Sequence, residues 1–271
     1  ETPNGFKYTI VKAGQGEKPK ADQFLVFEYI IKDSKDSVWM NSAEDGFPGA
    51  YQIQDTAKAT VNSEVGMQQM FRELSEGDSV TITRPLLDFF KNVLGGPAPP
   101  NMDTTMTMTC NLKVVEILEK EEFQPYQAKL IQQKIAKQKT KDAELIEKYL
   151  TDNNIITVQD TSGVRYIQYT NNGKQKPTVD DCVEVKYRGT LMEDGSEFDA
   201  GEITFPLRQV IQGWQIGIPK IGVGDSATFY IPSGLAYGPR GRPTIPPNSI
   251  LVFDVYLKSI KTFDPQTGAC K

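Results

Sequence analysis

The sequence predicts an α+β protein: two related domains, each an antiparallel sheet wrapped on a single short helix, joined by a helical linker. Three observations carry this. The chain repeats itself, with the same short motifs returning in the same order. Apolar and polar residues alternate through much of each copy, which is the period of a half-buried strand. The stretch between the copies is rich in Lys, Gln and Glu, lacks glycine, and carries its apolar residues at helical spacing. At 271 residues the chain is long enough for two domains of ordinary size.

The duplication is read motif by motif. Gly5-Phe6-Lys7-Tyr8 returns as Gly163-Val164-Arg165-Tyr166, Lys18-Pro19 as Lys176-Pro177, and Val26-Phe27-Glu28-Tyr29 as Glu184-Val185-Lys186-Tyr187, all at one constant offset. At shorter offsets, Gly77-Asp78-Ser79 returns as Gly224-Asp225-Ser226, Pro85 as Pro232, and Asn111 to Ile117 as Asp254 to Ile260. A preserved order with small insertions implies one duplicated domain, longer in its first copy. The expected organisation is a first domain over 1–120, a helical linker over 121–156, a second domain over 157–262 and a C-terminal tail over 263–271.

In the linker, Leu130, Ile131, Ile135, Leu145, Ile146, Tyr149 and Leu150 lie at helical spacing, and Asn153-Asn154 ends the pattern. One long helix or two shorter ones fit, with one face packed on a neighbouring domain; a dimerisation helix is the alternative. In the second copy, Val183, Val185 and Tyr187 alternate with polar residues, as do Ala227, Phe229 and Ile231, and Leu251, Phe253, Val255 and Leu257. One short helix is expected over Leu207 to Ile218, after the Phe205-Pro206 step.

Composition excludes several kinds of function. With 38% apolar and 24% charged residues the chain reads as globular and soluble, and no apolar run approaches the roughly 18 residues of a membrane helix. A net charge of −5 argues against a nucleic-acid binder, which needs a basic face to neutralise phosphates. The chain has no histidine, which removes Ser-His and Cys-His nucleophile pairs and imidazole metal ligands; no metal and no cofactor is expected. The three cysteines, Cys110, Cys182 and Cys270, are far apart and odd in number, so two structural thiols and one tail thiol are expected rather than a disulfide framework. The sequence starts at Glu1 without a leader, so a trimmed start is expected, with any export signal or lipid-anchored Cys upstream.

The second copy resembles the FKBP family of prolyl cis–trans isomerases. The resemblance lies in Val183 to Leu191, Asp194-Gly195-Ser196-Glu197-Phe198-Asp199, Val210-Ile211-Gln212-Gly213-Trp214, Gly222-Val223-Gly224-Asp225, Leu235-Ala236-Tyr237-Gly238, Ile245-Pro246-Pro247-Asn248 and Leu251 to Val255, in that order. It implies a curved antiparallel sheet around a short helix and an apolar pocket that binds proline. It also implies Asp199, Tyr187, Phe198 and Tyr237 as catalytic residues, with Val210, Ile211, Trp214, Ile245 and Phe253 binding substrate. Proline-containing polypeptides are the implied partners and macrolides the implied inhibitors. Departures from the family pattern at Ile203, Gln209, Arg242 and the loop Gly238 to Ile245 bear on substrate preference and macrolide affinity more than on activity. Export resemblances point to a periplasmic or envelope location, with a lipoprotein as one form of it.

The chemistry suits the residues present. Rotation about an Xaa-Pro bond is opposed by a barrier of ~20 kcal/mol because twisting destroys amide resonance. The twisted amide is less charge-separated, so an apolar pocket favours it over the planar ground state, with no nucleophile needed. Tyr237 and the Ile211 backbone N–H would grip the flanking carbonyls, and Asp199 would fix Tyr187 or a nearby Arg. In the first copy Tyr29 survives, but the Phe-Asp pair becomes Met40-Asn41, the Trp becomes Met67, the tip Tyr becomes Phe90 with a loop Gly95 to Pro100, and an insert spans Asp45 to Ala59. That copy is expected to keep the fold with little isomerase activity. A chaperone-like holding module with two linked apolar clefts is the competing reading of the whole chain. A scaffold with a vestigial pocket is the third.

Overall fold

In the computed structural model, which describes residues 1–2, 5–55, 66–264 and 266–271, contacts divide the chain into two units, Glu1–Gln132 and Gln133–Lys271. The first contains β1 (Thr9–Lys12), β2 (Phe24–Asp33), β3 (Val38–Asn41), α1 (Ser42–Asp45), β4 (Gly49–Gln52), α2 (Gly66–Glu73), β5 (Ser79–Pro85), α3 (Leu86–Phe89) with a π turn at Phe90–Leu94, and β6 (Thr107–Leu118). Its antiparallel sheet runs β1-β5-β6-β2-β3, with β4 also on β2. The alternating residues of β2 and β6 put Leu25, Phe27, Ile31, Cys110, Leu112 and Val114 into one core with Met70 and Phe71 of α2. The insert of this copy begins at the last residue of α1 and contains β4; its residues 56–59 lie outside the described residues.

Helix α4 (Lys120–Asp152) is continuous, the longer of the two forms the periodicity allows. Its start is closed by Glu122, whose carboxylate accepts from the Glu119 N–H at 3.0 Å. Its end is closed by Asn154 in the left-handed region, φ 54°, with Asn154 N donating to Thr151 O and Ile155 N to Leu150 O. That pair of bonds is a Schellman closure, and Asn tolerates the conformation it needs.

The second unit contains β7 (Val158–Gln159), β8 (Arg165–Gln168), β9 (Cys182–Leu191), β10 (Glu197–Pro206), α5 (Gln212–Gly217), β11 (Ser226–Ile231), β12 (Leu251–Lys261), β13 (Phe263–Asp264) and β14 (Ala269–Cys270). Its antiparallel sheet runs β10-β9-β12-β11-β8-β7. One face carries the main core, with Val185, Phe229, Leu251 and Leu257 fully buried beneath α5. The opposite face of β11 is covered too: Ile146 and Leu150 of α4 pack with Tyr230 and Ile250. So β11 is buried on both faces, where alternation alone predicts one, because α4 supplies a second layer. The helix expected over 207–218 is shorter than expected. A 3-10 turn at Leu207–Gln209 is followed by extended Val210 and Ile211 before α5 begins.

The repeated Gly-Asp pair is a structural latch. Asp78 accepts from Gly14 N at 2.6 Å and Ser75 N at 2.7 Å. Asp225 accepts from Gly222 N at 2.9 Å, Asn172 N at 3.2 Å and the Gln168 side chain at 3.0 Å. Both carboxylates are buried and thereby satisfy backbone donors that burial would otherwise leave unpaired.

The cysteine expectation is overturned. Cys182 and Cys270 form a disulfide with their Cα atoms 5.7 Å apart, and only Cys110 is free. The β13–β14 hairpin brings Cys270 back beside β10, so a pairing that sequence distance hides is made close by strand order. Cys110 lies in the first core, where burial pushes its thiol up to about 12 and leaves it inert.

Candidate active site

The second unit gathers its aromatic residues around Phe253. That ring stands edge-on to Phe198 at 5.5 Å and to Trp214 at 5.0 Å, and tilted to Tyr187 at 6.4 Å. Tyr187 also meets Trp214 edge-on at 5.2 Å. Edge-to-face contact is a favoured arrangement of aromatic quadrupoles. Four elements supply the set: Tyr187 from β9, Phe198 and Asp199 from β10, Trp214 from α5 and Phe253 from β12.

Backbone spacing makes room for the rings. Gly189 of β9 faces Phe253 of β12 in register. A Cβ at Gly189 would lie 2.6 Å from Phe198 Cζ and 2.7 Å from Phe253 Cε1, so only glycine admits both rings. Gly213 and Gly217 seat α5 directly on Ile231 and Phe229 of β11, which fixes the depth of Trp214. The Trp214 indole N–H is buried without a hydrogen-bond partner among the described residues.

Around the rings the polar groups are few. The Tyr187 hydroxyl donates to Asp199 Oδ2 at 2.7 Å. Burial first, and that hydrogen bond second, push the Tyr187 hydroxyl up to about 12. Tyr237 is half-buried on the core, with the Arg242 guanidinium 5.1 Å from its ring centroid. Val210 and Ile211 are half-buried at the start of α5, and Ile245 is buried in the following loop. The Ile211 N–H makes no hydrogen bond among the described residues, since α5 begins one residue later. Among the described residues no cluster of acidic or thiol groups is arranged to hold a metal.

All nine residues singled out in the sequence therefore belong to one buried or half-buried cluster, except that Asp199 is exposed at its edge. Ile203, one of the departures, is 47% exposed on β10. Two residues beside the cluster were given no site role in the sequence reading. Phe205 lies 5.3 Å from Trp214 and packs against it. Gly189 was legible as an isolated glycine inside a strand pattern, a sign of close approach.

In the first unit the same register position holds the reverse pair. Ile31 takes the place of Gly189 and Cys110 the place of Phe253, paired across β2 and β6. Both are buried, so the larger side chain of the pair stands on β2 here and on β12 in the second unit. Asn41, at the position of the pocket carboxylate, instead caps α1 by accepting from Ala43 N at 3.1 Å.

Comparison with known proteins follows this division. A family model described as FKBP-type peptidyl-prolyl cis-trans isomerase matches residues 173–258. FK506-binding protein 1 of Saccharomyces cerevisiae is 45% identical over 97 residues, which are 33% of this chain and 84% of that one. The probable FKBP-type peptidyl-prolyl cis-trans isomerase FkpA of Neisseria meningitidis is 46% identical over 116 residues, 41% of this chain and 42% of that one. The chain thus spans less than half the length of that relative. Among solved structures, FkpA from Escherichia coli is 34% identical, covering 52% of this chain and 71% of its own, with a TM-score of 0.42.

Proposed function

The chain belongs to the FKBP-type peptidyl-prolyl cis–trans isomerase family, and we propose that its second unit catalyses rotation about Xaa-Pro bonds in polypeptide substrates. The observation that carries the reading is the ring cluster of Tyr187, Phe198, Trp214 and Phe253, with a single carboxylate at its edge. A proline ring enters the apolar hollow, and the flanking amide leaves water with it. Loss of water raises the free energy of the planar, charge-separated amide relative to the twisted one. The Ile211 N–H and the Tyr237 hydroxyl hold carbonyls on either side of the rotating bond. Their grip strengthens as the amide twists only if they are placed for the twisted state. Asp199 keeps the Tyr187 ring in place by accepting its proton-bearing hydroxyl, and the unpaired Trp214 N–H offers one donor at the floor.

The Arg242 side chain over Tyr237 narrows the rim, and macrolide binding, which the yeast relative's name records for that protein, is proposed here to be shaped by it. The Cys182–Cys270 bond supports an oxidising compartment such as the periplasm, since such bonds are rare where thiols are kept reduced. Among the described residues no helix is long and apolar enough to cross a membrane.

A second reading concerns the first unit. It has lost the pocket, yet Trp39, Met40, Leu87 and Leu94 are exposed, and a cleft of about 570 Å³ opens among Leu87, Pro97, Pro99 and Met102. We assign it a holding role for unfolded chains, which assists the isomerase without catalysis.

The test is turnover of short Xaa-Pro peptides by the full chain. Acceleration that Trp214→Ala abolishes while the fold persists supports the isomerase. Absence of acceleration, with suppressed aggregation of an unfolded client, leaves holding as the function of both units.

A further inference from the structure

We propose that Asp142 of α4 is a positioning residue for the pocket, because it holds the loop that carries Tyr237. The inference rests on the isomerase reading above and assigns it a residue outside the sheet. Asp142 is 1% exposed, although it lies on a helix whose neighbouring positions are largely solvated. Its Oδ2 accepts from the Ser233 backbone N–H at 2.8 Å and from the Ser233 hydroxyl at 2.7 Å, while the Gln138 side chain donates to Oδ1 at 2.7 Å. Ser233 is itself fully buried. A carboxylate is taken out of water at high cost unless donors surround it, and here three do.

The place of Ser233 gives this contact its meaning. It opens the 3-10 turn Ser233–Leu235 at the end of β11, four residues before Tyr237. Leu235 N donates to Pro232 O and Ala236 N to Ser233 O, both at 3.0 Å, so the turn passes the position of Ser233 on to Tyr237. Beyond Tyr237 the loop is held again, by Asn248 N donating to Gly238 O at 2.8 Å and by Arg242 over the Tyr237 ring. Tyr237 is therefore clamped from two sides, and one clamp is the linking helix. On α4, Asp142 shares its face with Ile146, Tyr149 and Leu150, which pack on the same unit. In its last three turns that face packs on apolar surface and holds a loop at one point.

With Asn in place of Asp142 the acceptor facing Ser233 is a neutral amide oxygen instead of a carboxylate, and the new amide N–H2 meets the Gln138 donor, so the hold on Ser233 weakens and the loop is free to shift. Displacement of a gripping group by about 1 Å is enough to cost an enzyme much of its rate. The experiment is a double-mutant cycle on the full chain, with Asp142→Asn, Tyr237→Phe and the double variant assayed on Xaa-Pro peptides. Asp142→Asn is expected to lower kcat/KM on the order of tenfold, with the same division between kcat and KM as Tyr237→Phe. The double variant is expected to be no worse than the poorer single one. Lys148→Ala, which breaks an exposed ion pair on the same helix, is expected to change nothing. Additive losses, or an Asp142→Asn protein that melts early but turns over normally, overturn the proposal. If Asp142→Asn fails to fold, Ser233→Ala removes only the hydroxyl bond, is expected to give a smaller loss of the same kind, and an unchanged rate in it overturns the proposal. Amide exchange at residues 234–238, faster in Asp142→Asn than in wild type while β9 and β12 stay protected, supports the clamp independently of turnover. If the wild type has no activity, the isomerase reading falls, and exchange alone decides whether Asp142 holds the loop.

Discussion

The Tyr187 hydroxyl donates to Asp199 Oδ2 at 2.7 Å, tying β9 to β10 at the edge of the aromatic cluster. With the hydroxyl raised to about 12, Tyr187 stays a donor at any working pH. Asp199→Val leaves it without that acceptor and is expected to lower kcat/KM by ~10–100-fold with the sheet intact. Peptide turnover beside a thermal melt checks this; full turnover removes Asp199 from the site. With no histidine in the chain, turnover is also expected to be flat from about pH 6 to about pH 9.

Acid stability has a different source. Lys258 donates to Glu184 at 2.8 Å, Lys261 lies 3.2 Å away and Ser259 donates at 3.1 Å. Those bonds, the Lys258 one foremost, hold the Glu184 carboxyl at about 2. A depressed carboxylate contributes stability above its unfolded value and loses it as pH falls towards its folded value. Stability is therefore expected to decline below about pH 4.5 and to continue falling towards about pH 2. Urea unfolding of Glu184→Gln across that window is expected to show a shallower decline; an identical slope would assign the effect to other carboxylates.

The Cys182–Cys270 bond spans 88 residues of sequence. By the chain-entropy argument a loop of that length is worth about 4.6 kcal/mol of stability. Reduction, or Cys182→Ala with Cys270→Ser, is expected to lower the urea midpoint of the second unit and spare the first. A midpoint that reductant does not move would show that the hairpin adds nothing to the sheet.

Gly189→Ala tests how the pocket is made. Its new methyl meets Phe198 and Phe253, so the rings must move and the hollow closes. Overpacking of this kind costs about 1–3 kcal/mol. The expected result is a folded, weakened protein with turnover reduced far more than Tm, read by peptide assay and calorimetry. Normal turnover would mean that the rings do not form the substrate surface.

Much of this was legible in the residues. The alternation in β9, β11 and β12 announced which side chains line the core, and the residues that the ordered motifs singled out lie together on it, with Asp199 exposed at the edge. What escaped shares one cause, dependence on contacts between distant residues. The disulfide joins positions whose nearness arises only when the hairpin folds back past β10. Burial of both faces of β11 needs a helix that the strand's own period cannot announce. Asp142 was visible as a lone acid on the apolar face of α4, but its partner lies 91 residues away.

The exchanged pair, Gly189 with Phe253 in one unit and Ile31 with Cys110 in the other, also constrains descent. The bulk at this site has moved from one strand to its neighbour. Each of the two changes that would restore the second unit's pair at this position is unfavourable when made alone. Cys110→Phe drives a ring into Ile31, and Ile31→Gly empties a filled core. Either change made alone is therefore expected to lower the stability of the first unit. The first unit is thus expected to diverge along paths that keep its own buried pair rather than along ones that restore the aromatic arrangement of the second.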